Sequence, residues 1–339
     1  MRQALGSGAG GRIAAVYAGL IGFNLAMWIW ALAAFAGRPA LLATALLAYA
    51  FGLRHAVDAD HIAAIDNVTR KLMNAGQRPV GVGLFFACGH SAVVGLAAAA
   101  ALGAAQHLDL DRLKAVGGLA STLVSGLFLV FAAAMNLIVL DGVCKALGRF
   151  RRTGAYAGED VERLLAGRGL AARILRPAFG LISHSWHMFP LGVLFGLGFD
   201  TASEIVLLGL SQAEAAKGLP LGTLMVFPAL FAAGMTLIDT SDGVLMLGAY
   251  DWALVRPARR LYYNLVVTAL AVVVAVLIGG IELLGVVRDQ LGLTGGVWSA
   301  VQALGGDFSG LGFAVVGLFA AAWTGSAIFA RLRGEAAPD

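Results

Sequence analysis

The chain has 339 residues, 59% of them hydrophobic and 13% charged, with a formal net charge of +4 and two cysteines. A soluble domain carries about 25% charged residues, so this composition excludes an ordinary cytoplasmic enzyme and a disordered chain, and two cysteines exclude a disulfide framework. A membrane-crossing helix needs about 20 apolar residues, and some 200 are present, enough for roughly eight spans with a remainder for loops.

The first apolar run covers residues 13–36. It exceeds the 7–15 residues of a signal-peptide core, so it reads as an uncleaved first helix. Seven further runs lie near 41–69, 80–104, 116–140, 186–211, 221–249, 262–287 and 311–329. The expected fold is therefore an all-α polytopic integral membrane protein with eight transmembrane helices, which places both termini on one side.

The basic residues choose that side. With cytoplasmic termini the inner loops collect 18 of the 24 Lys and Arg, among them Arg70, Lys71, Arg78, Arg151, Arg152, Arg256, Arg259 and Arg260. The outer loops hold five: Arg38, Arg112, Lys114, Lys217 and Arg288. Only Arg54 sits inside a run. An excess of Lys and Arg marks the cytoplasmic side. The expected organisation is spans one to four in 1–140, a basic cytoplasmic connection in 141–178 with a short surface helix near 159–168, spans five to eight in 179–333, and a short tail in 334–339. The Arg151–Arg152 pair belongs to that inside-positive connection and implies no nucleic-acid partner. The lipid bilayer is the expected surrounding.

The charged segments of the second, fifth and sixth runs bring six carboxylates into apolar surroundings: Asp58, Asp60, Asp200, Glu204, Asp239 and Asp242. Each costs about 2.5–3.5 kcal/mol at a helix centre, so six cost about 15–20 kcal/mol if nothing compensates. Arg54 is expected to pair with one or two of them. The rest must be protonated, line water, or bind a cation. Three histidines accompany them: His55 and His61 in the second run and His90 in the third.

If the second run is one continuous helix at 100° per residue, His55, Asp58, His61 and Asp66 share a broad face and Asp60 points nearly opposite. Asp200 and Glu204 are four apart and share a face, as do Asp239 and Asp242, three apart. Counting from the inner helix ends at 1.5 Å per residue, His55 and Asp200 lie about 21 Å deep, His90 and Asp239 about 16 Å, and His61 and Asp242 about 12 Å. Four runs thus deliver polar groups to one layer. Neutral imidazole with carboxylate oxygen suits borderline divalent metals such as Ni²⁺, Co²⁺ or Zn²⁺. A proton relay, or a polar network that fixes helix packing, is the alternative chemistry for the same groups.

These residues resemble the nickel/cobalt transporter family, NiCoT. Arg54-His55-Ala56-Val57-Asp58-Ala59-Asp60-His61 matches the family's R-H-A-x-D-A-D-H segment throughout. Gly89-His90-Ser91 with Val93 and Val94 is similar to its G-H-S-x-V-V. Leu197-Gly198-Phe199-Asp200-Thr201-Ala202-Ser203-Glu204 is similar to its L-G-F-D-T-A-[ST]-E. Gly234-Met235 with Asp239-Thr240-Ser241-Asp242-Gly243 resembles its sixth-helix segment, and Asn136 a polar position of the fourth. The resemblance runs from about residue 14 to 329. It implies uptake of Ni²⁺ or Co²⁺ across the cytoplasmic (inner) membrane, with the ion as substrate and no permanently bound cofactor. It also implies that His55, Asp58, Asp60, His61, His90, Asp200, Glu204, Asp239 and Asp242 form the metal path. Within that set the helical faces favour His55, Asp58 and His61 as direct ligands and Asp60 behind them. A cytoplasmic metallochaperone is a candidate partner.

Efflux by the same fold is the nearest alternative, but the 141–178 connection contains no histidine, which favours uptake. Enzyme activity is not expected. There is no G-x-x-x-x-G-K-[ST] loop, and His55 and His61 have five residues between them without the glutamate of His-Glu-x-x-His. Four further features carry two readings each. Cys88, two residues before His90, either tunes metal choice or packs. Asp66 is either an exit ligand or a helix-end partner of Arg70. His184 and His187 form either an exit site or, with Trp186, an interfacial anchor. His107, with Asp109 and Asp111, either collects cations or sits in a solvated loop.

Overall fold

The computed structural model describes residues 7–103, 110–153, 181–197, 207, 214, 218–254 and 257–332. These residues are nearly all helical, with no strand among them. The helices are α1 (Ser7–Ala34), α2 (Pro39–His55), α3 (Ala59–Asn74), α4 (Val82–Gly103), α5 (Leu110–Thr153), α6 (Met188–Gly196), α7 (Val226–Leu254), α8 (Pro257–Leu291), α9 (Gly296–Gly305) and α10 (Phe308–Leu332). A 3₁₀ turn, Ser185–His187, leads into α6, and a single helical turn, Leu221–Leu224, leads into α7.

Six of these segments are long and apolar enough to cross a membrane: Gly10–Ala34, Val82–Ala100, Ala115–Lys145, Leu221–Tyr250, Leu265–Leu291 and Phe308–Gly325. The pair α2 and α3, bent by 51°, makes a seventh as one broken span. The chain is thus an all-α, multi-pass membrane protein. The run expected at 186–211 begins as the 3₁₀ turn and α6, and most of its remainder lies outside the described residues. Large apolar side chains such as Ile21, Ile29, Leu32, Leu96, Leu127, Leu245, Val273 and Phe313 are exposed on the spans. A soluble surface would not tolerate that much apolar area, whereas lipid solvates it.

Two elements differ from the reading of the sequence. α5 continues through Thr153, so the start of the 141–178 connection prolongs a helix. α9 is amphipathic, has a single buried residue, Val301, and falls between the last two spans, where hydropathy marks no crossing.

Small residues set the closest helix approaches, as expected where lipid supplies no hydrophobic drive between helices. α2 crosses α7 at Gly52, where an added Cβ would stand 2.1 Å from the Phe231 carbonyl oxygen, and at Gly234, 2.7 Å from that of Tyr49. α4 meets α6 at Gly89 and Gly192, and α4 meets α7 at Gly83. Gly196 likewise faces α4, where a Cβ would stand 2.9 Å from the His90 carbonyl oxygen, and Gly198 lies outside the described residues. These crossings draw α2, α3, α4 and α7 around one buried centre.

Candidate metal centre

The second span is broken where the motif falls. α2 ends at His55, and α3 starts at Ala59 with Asp58 as its N-cap in an extended conformation (φ −63°, ψ 143°). Asp is a favoured residue there, yet its side chain makes no capping bond to α3. Both oxygens are engaged elsewhere. Oδ2 lies 2.9 Å from His55 Nδ1, and Oδ1 accepts a hydrogen bond from Ser309 of α10. Gly312, one turn beyond Ser309, lets α10 press against the break: a Cβ there would overlap the Val57 carbonyl oxygen. Non-helical backbone at membrane depth is tolerated where protein buries it, and α10 supplies that cover.

The break overturns the continuous-helix projection. His55 and His61 belong to different helices and converge through the 51° bend, with ring centroids 4.7 Å apart. Asp60 is half-buried and lines a cavity together with Arg54 and Asp58. Arg54 also departs from expectation. Its Nε donates to Ser309 Oγ at 3.3 Å, so it reaches Asp58 through the serine rather than by a direct ion pair.

His90 on α4 completes a cluster with His55 and His61. Its centroid is 4.8 Å from His55 and 4.9 Å from His61. One ligating nitrogen from each ring can be chosen so that all three lie within 4.8 Å of one another. His55 Nε2 and His90 Nε2 are 3.0 Å apart. Two ligands each about 2.1 Å from one ion stand roughly 3.0–3.4 Å apart, which is the spacing of this pair. All three rings are buried. His61 Nε2 has no hydrogen-bond partner among the described residues, which is a costly state for a buried polar atom unless a ligand meets it.

Asp239 on α7, fully buried, backs His61 with both carboxylate oxygens 3.4 Å from Nδ1. Asp58 and Asp239 thus hold the Nδ1 sides of two imidazoles, the arrangement that orients metal-ligating histidines. Asp242 is one turn further along α7, and its buried Oδ2 lacks a hydrogen-bond partner among the described residues. Phe86 meets His61 edge-on at 4.8 Å, and Phe231 lies 5.5 Å from His55, so aromatic rings wall the cluster. Asp200 and Glu204 lie outside the described residues.

Toward the Asn74 end of α3, a second buried network stands apart from the imidazoles. Arg70 Nη2 donates to Asp66 Oδ2 at 3.1 Å and to Asn67 Oδ1 at 3.2 Å; Tyr250 donates to Asp66 Oδ1 at 2.9 Å, and Asn136 donates to Asn67. Asp66 is therefore a partner of Arg70. Cys88 is exposed and turned away from the neighbouring, buried His90. His184 and His187 both contact Ser183, beside a Trp186 that is 56% exposed, as an interfacial anchor requires. His107 lies outside the described residues.

Residues absent from the sequence-based set complete the surroundings. Phe86 and Phe231 are ordinary members of apolar runs, Ser309 falls just before the last run, and nothing in their spacing singles them out. Ser309 follows a short break before the last span and only the packing of α10 on the α2–α3 bend gives it a role.

A multi-pass helical protein that gathers imidazoles and carboxylates beside a broken span has the build of a membrane transporter for cations. Residues 41–329 match the sequence model of NicO, the high-affinity nickel-transport protein family, and the chain belongs to that family. It is 52% identical over 324 residues to the high-affinity nickel transport protein of Cupriavidus necator, covering 95% of this chain and 92% of the relative. It is 44% identical over 337 residues to the nickel transporter NicT of Mycobacterium tuberculosis, covering 95% and 90%. It is 40% identical over 311 residues to the cobalt transport protein NhlF of Rhodococcus rhodochrous, covering 88% and 87%. No solved structure matches the chain.

Proposed function

We propose that this chain is a permease that takes up Ni²⁺, Co²⁺ or both across the cytoplasmic membrane, with eight spans and cytoplasmic termini. The observation that carries the reading is the buried triad of His55, His61 and His90, whose ligating nitrogens lie within 4.8 Å of one another. Imidazole nitrogen backed by carboxylate suits borderline divalent ions better than Mg²⁺ or Ca²⁺, which take oxygen. In this reading the three imidazoles bind the transported ion directly. Asp58 and Asp239 orient His55 and His61, and Asp60 and Asp242 flank the site. Asp200 and Glu204 belong to the same path by their motif. The relatives bearing nickel and cobalt in their names support both ions as substrates.

The test is accumulation of ⁶³Ni²⁺ and ⁵⁷Co²⁺ by cells expressing the chain or His55→Ala. Uptake above an empty vector that is lost in His55→Ala is the expected result. No accumulation of either ion by the wild type rejects the permease reading. Normal accumulation by His55→Ala rejects the site and leaves the transport intact.

A further inference from the structure

A cavity of about 630 Å³ lies among α5, α8, α9 and α10 and reaches the metal centre at Asp58 and Ser309. Its far wall is the end of α8 that carries Arg288, together with α9. The distribution of basic residues puts that end on the outer side of the membrane. The Asp66–Arg70–Tyr250 network and Val267, whose carbonyl accepts from Arg70 Nη1, lie toward the opposite end of α8. The cavity therefore approaches the imidazoles from outside, while packed side chains occupy the inner direction.

Its charged lining favours a cation. Asp58, Asp60, Glu282 and Asp289 face it with Arg54 and Arg288. Arg288 is paired with Asp289 at 2.5 Å, so its charge is offset locally. Among the lining side chains that leaves Asp58, Asp60 and Glu282 beside Arg54. Low-dielectric walls concentrate such a field and raise the local counter-ion concentration. Glu282 is the least expected member. It sits within the span Leu265–Leu291, is 8% exposed, and belongs to no motif that singles out the metal path. Its placement is built. Ser125 Oγ of α5 lies 2.8 Å from both carboxylate oxygens. Gly126 beside it admits α8, since a Cβ there would stand 2.8 Å from Leu283 Cγ and 3.3 Å from Glu282 Oε2. An ionisable group held at membrane depth on the wall of a polar cavity marks an ion path rather than a packing contact.

We propose that this cavity is the outer access route of the divalent cation and that Glu282 is the carboxylate that draws the ion from the outer mouth toward Asp58 and the imidazoles. The inference rests on the transport reading above. Glu282 acts on capture, so it governs the concentration at which transport saturates rather than the rate at saturation.

The experiment measures the concentration dependence of ⁶³Ni²⁺ uptake by cells expressing the full chain, normalised to its amount in the membrane. Glu282→Gln, which keeps the shape, is expected to raise the half-saturating concentration by roughly three- to tenfold with a maximal rate within about twofold of wild type. Gln302 offers a second arm, since it is exposed on α9 and lines the cavity without contacting the centre. Gln302→Lys should raise the half-saturating concentration and Gln302→Glu should lower it, each by roughly two- to threefold. A merely structural role for this wall would shift both Gln302 variants the same way or not at all. Unchanged half-saturation in Glu282→Gln, or no opposition between the Gln302 variants, overturns the proposal; if Glu282→Gln does not reach the membrane, the Gln302 pair decides alone. Failure of the transport reading itself is visible in the wild type, which would then accumulate no nickel above the empty vector.

Discussion

His55 Nε2 stands 3.0 Å from His90 Nε2, a nitrogen–nitrogen contact between the last residue of α2 and the middle of α4. A neutral imidazole carries one N–H, and the Asp58 carboxylate 2.9 Å from His55 Nδ1 holds that proton on the Nδ1 side. His55 Nε2 is then a lone-pair nitrogen aimed at the cluster centre. The 3.0 Å contact then uses the proton of His90 Nε2, which a divalent ion bound by both nitrogens must displace.

His55→Ala and His90→Ala should therefore each abolish high-affinity uptake, and each should weaken Ni²⁺ binding to the purified protein by more than the roughly 10- to 100-fold typical of losing an orienting partner. The double variant should be little worse than either single one, because residues that hold one ion do not contribute additively. Isothermal titration in detergent checks both statements. Additive losses would mean that the two rings bind separate ions.

The two motif carboxylates separate by contact. Asp58 touches His55 and Ser309, whereas Asp60 faces the cavity beside Arg54. Asp58→Asn exchanges one acceptor oxygen for a donor and disturbs the tautomer of His55, so Ni²⁺ affinity should fall by about 10- to 100-fold. Asp60→Asn should lower it less. Ser309→Ala should fall between them, since it removes one of the two bonds that fix Asp58. Equal losses for Asp58→Asn and Asp60→Asn in the same titration would reject this division of roles.

The reach of sequence reasoning here follows from what leaves a local trace. Apolar runs are long and continuous, so the spans and the membrane class are legible from composition and length alone. The charged motif residues are legible because each is expensive in lipid. The α2–α3 break leaves no such trace: residues 41–69 read as one apolar run, and the bend depends on α10 pressing Gly312 against Val57, more than 250 residues later. A helical wheel still groups His55, Asp58 and His61, because a bend and a wheel bring those three together by different routes. Ser309 leaves no trace for the related reason that its partner, Asp58, is distant in the chain. Glu282 stands inside the run 262–287 and is as expensive there as the motif carboxylates, but only its bond to the distant Ser125 gives it a place. Arg70 and Asp66 were legible as a pair, since they are four apart on one helix.

That pair carries its own expectation. Arg70 is 2% exposed and Asp66 0%, and Arg70 Nη2 reaches Asp66 Oδ2 at 3.1 Å. Arg70→Met leaves a buried carboxylate whose remaining donor is Tyr250, which should cost about 3–5 kcal/mol of stability. Asp66→Asn combined with Arg70→Met removes both charges and should recover much of that loss. Thermal unfolding in detergent measures the three proteins side by side. A double variant as unstable as Arg70→Met would show that the arginine contributes through packing rather than charge.

The helix crossing that carries His55 into the centre rests on missing methyl groups at Gly52 and Gly234, and Gly52 is the tighter of the two. A Cβ on Gly52 would stand 2.1 Å from the Phe231 carbonyl oxygen and 2.8 Å from its carbonyl carbon. Both are backbone atoms of α7 and cannot swing aside. Gly52→Ala must therefore push α2 from α7, and His55 is only three residues further on. Overpacking of this kind costs about 1–3 kcal/mol and sometimes more, and here it also displaces a proposed ligand. The expected result is a lower unfolding temperature together with loss of ⁶³Ni²⁺ uptake. Gly95→Ala on α4 is the matched control, since a Cβ there meets nothing within 4 Å. It should leave uptake intact and, through better helix propensity, raise stability by up to about 1 kcal/mol. If Gly52→Ala transports like wild type, α2 and α7 do not need this contact distance, and the position of His55 is set elsewhere.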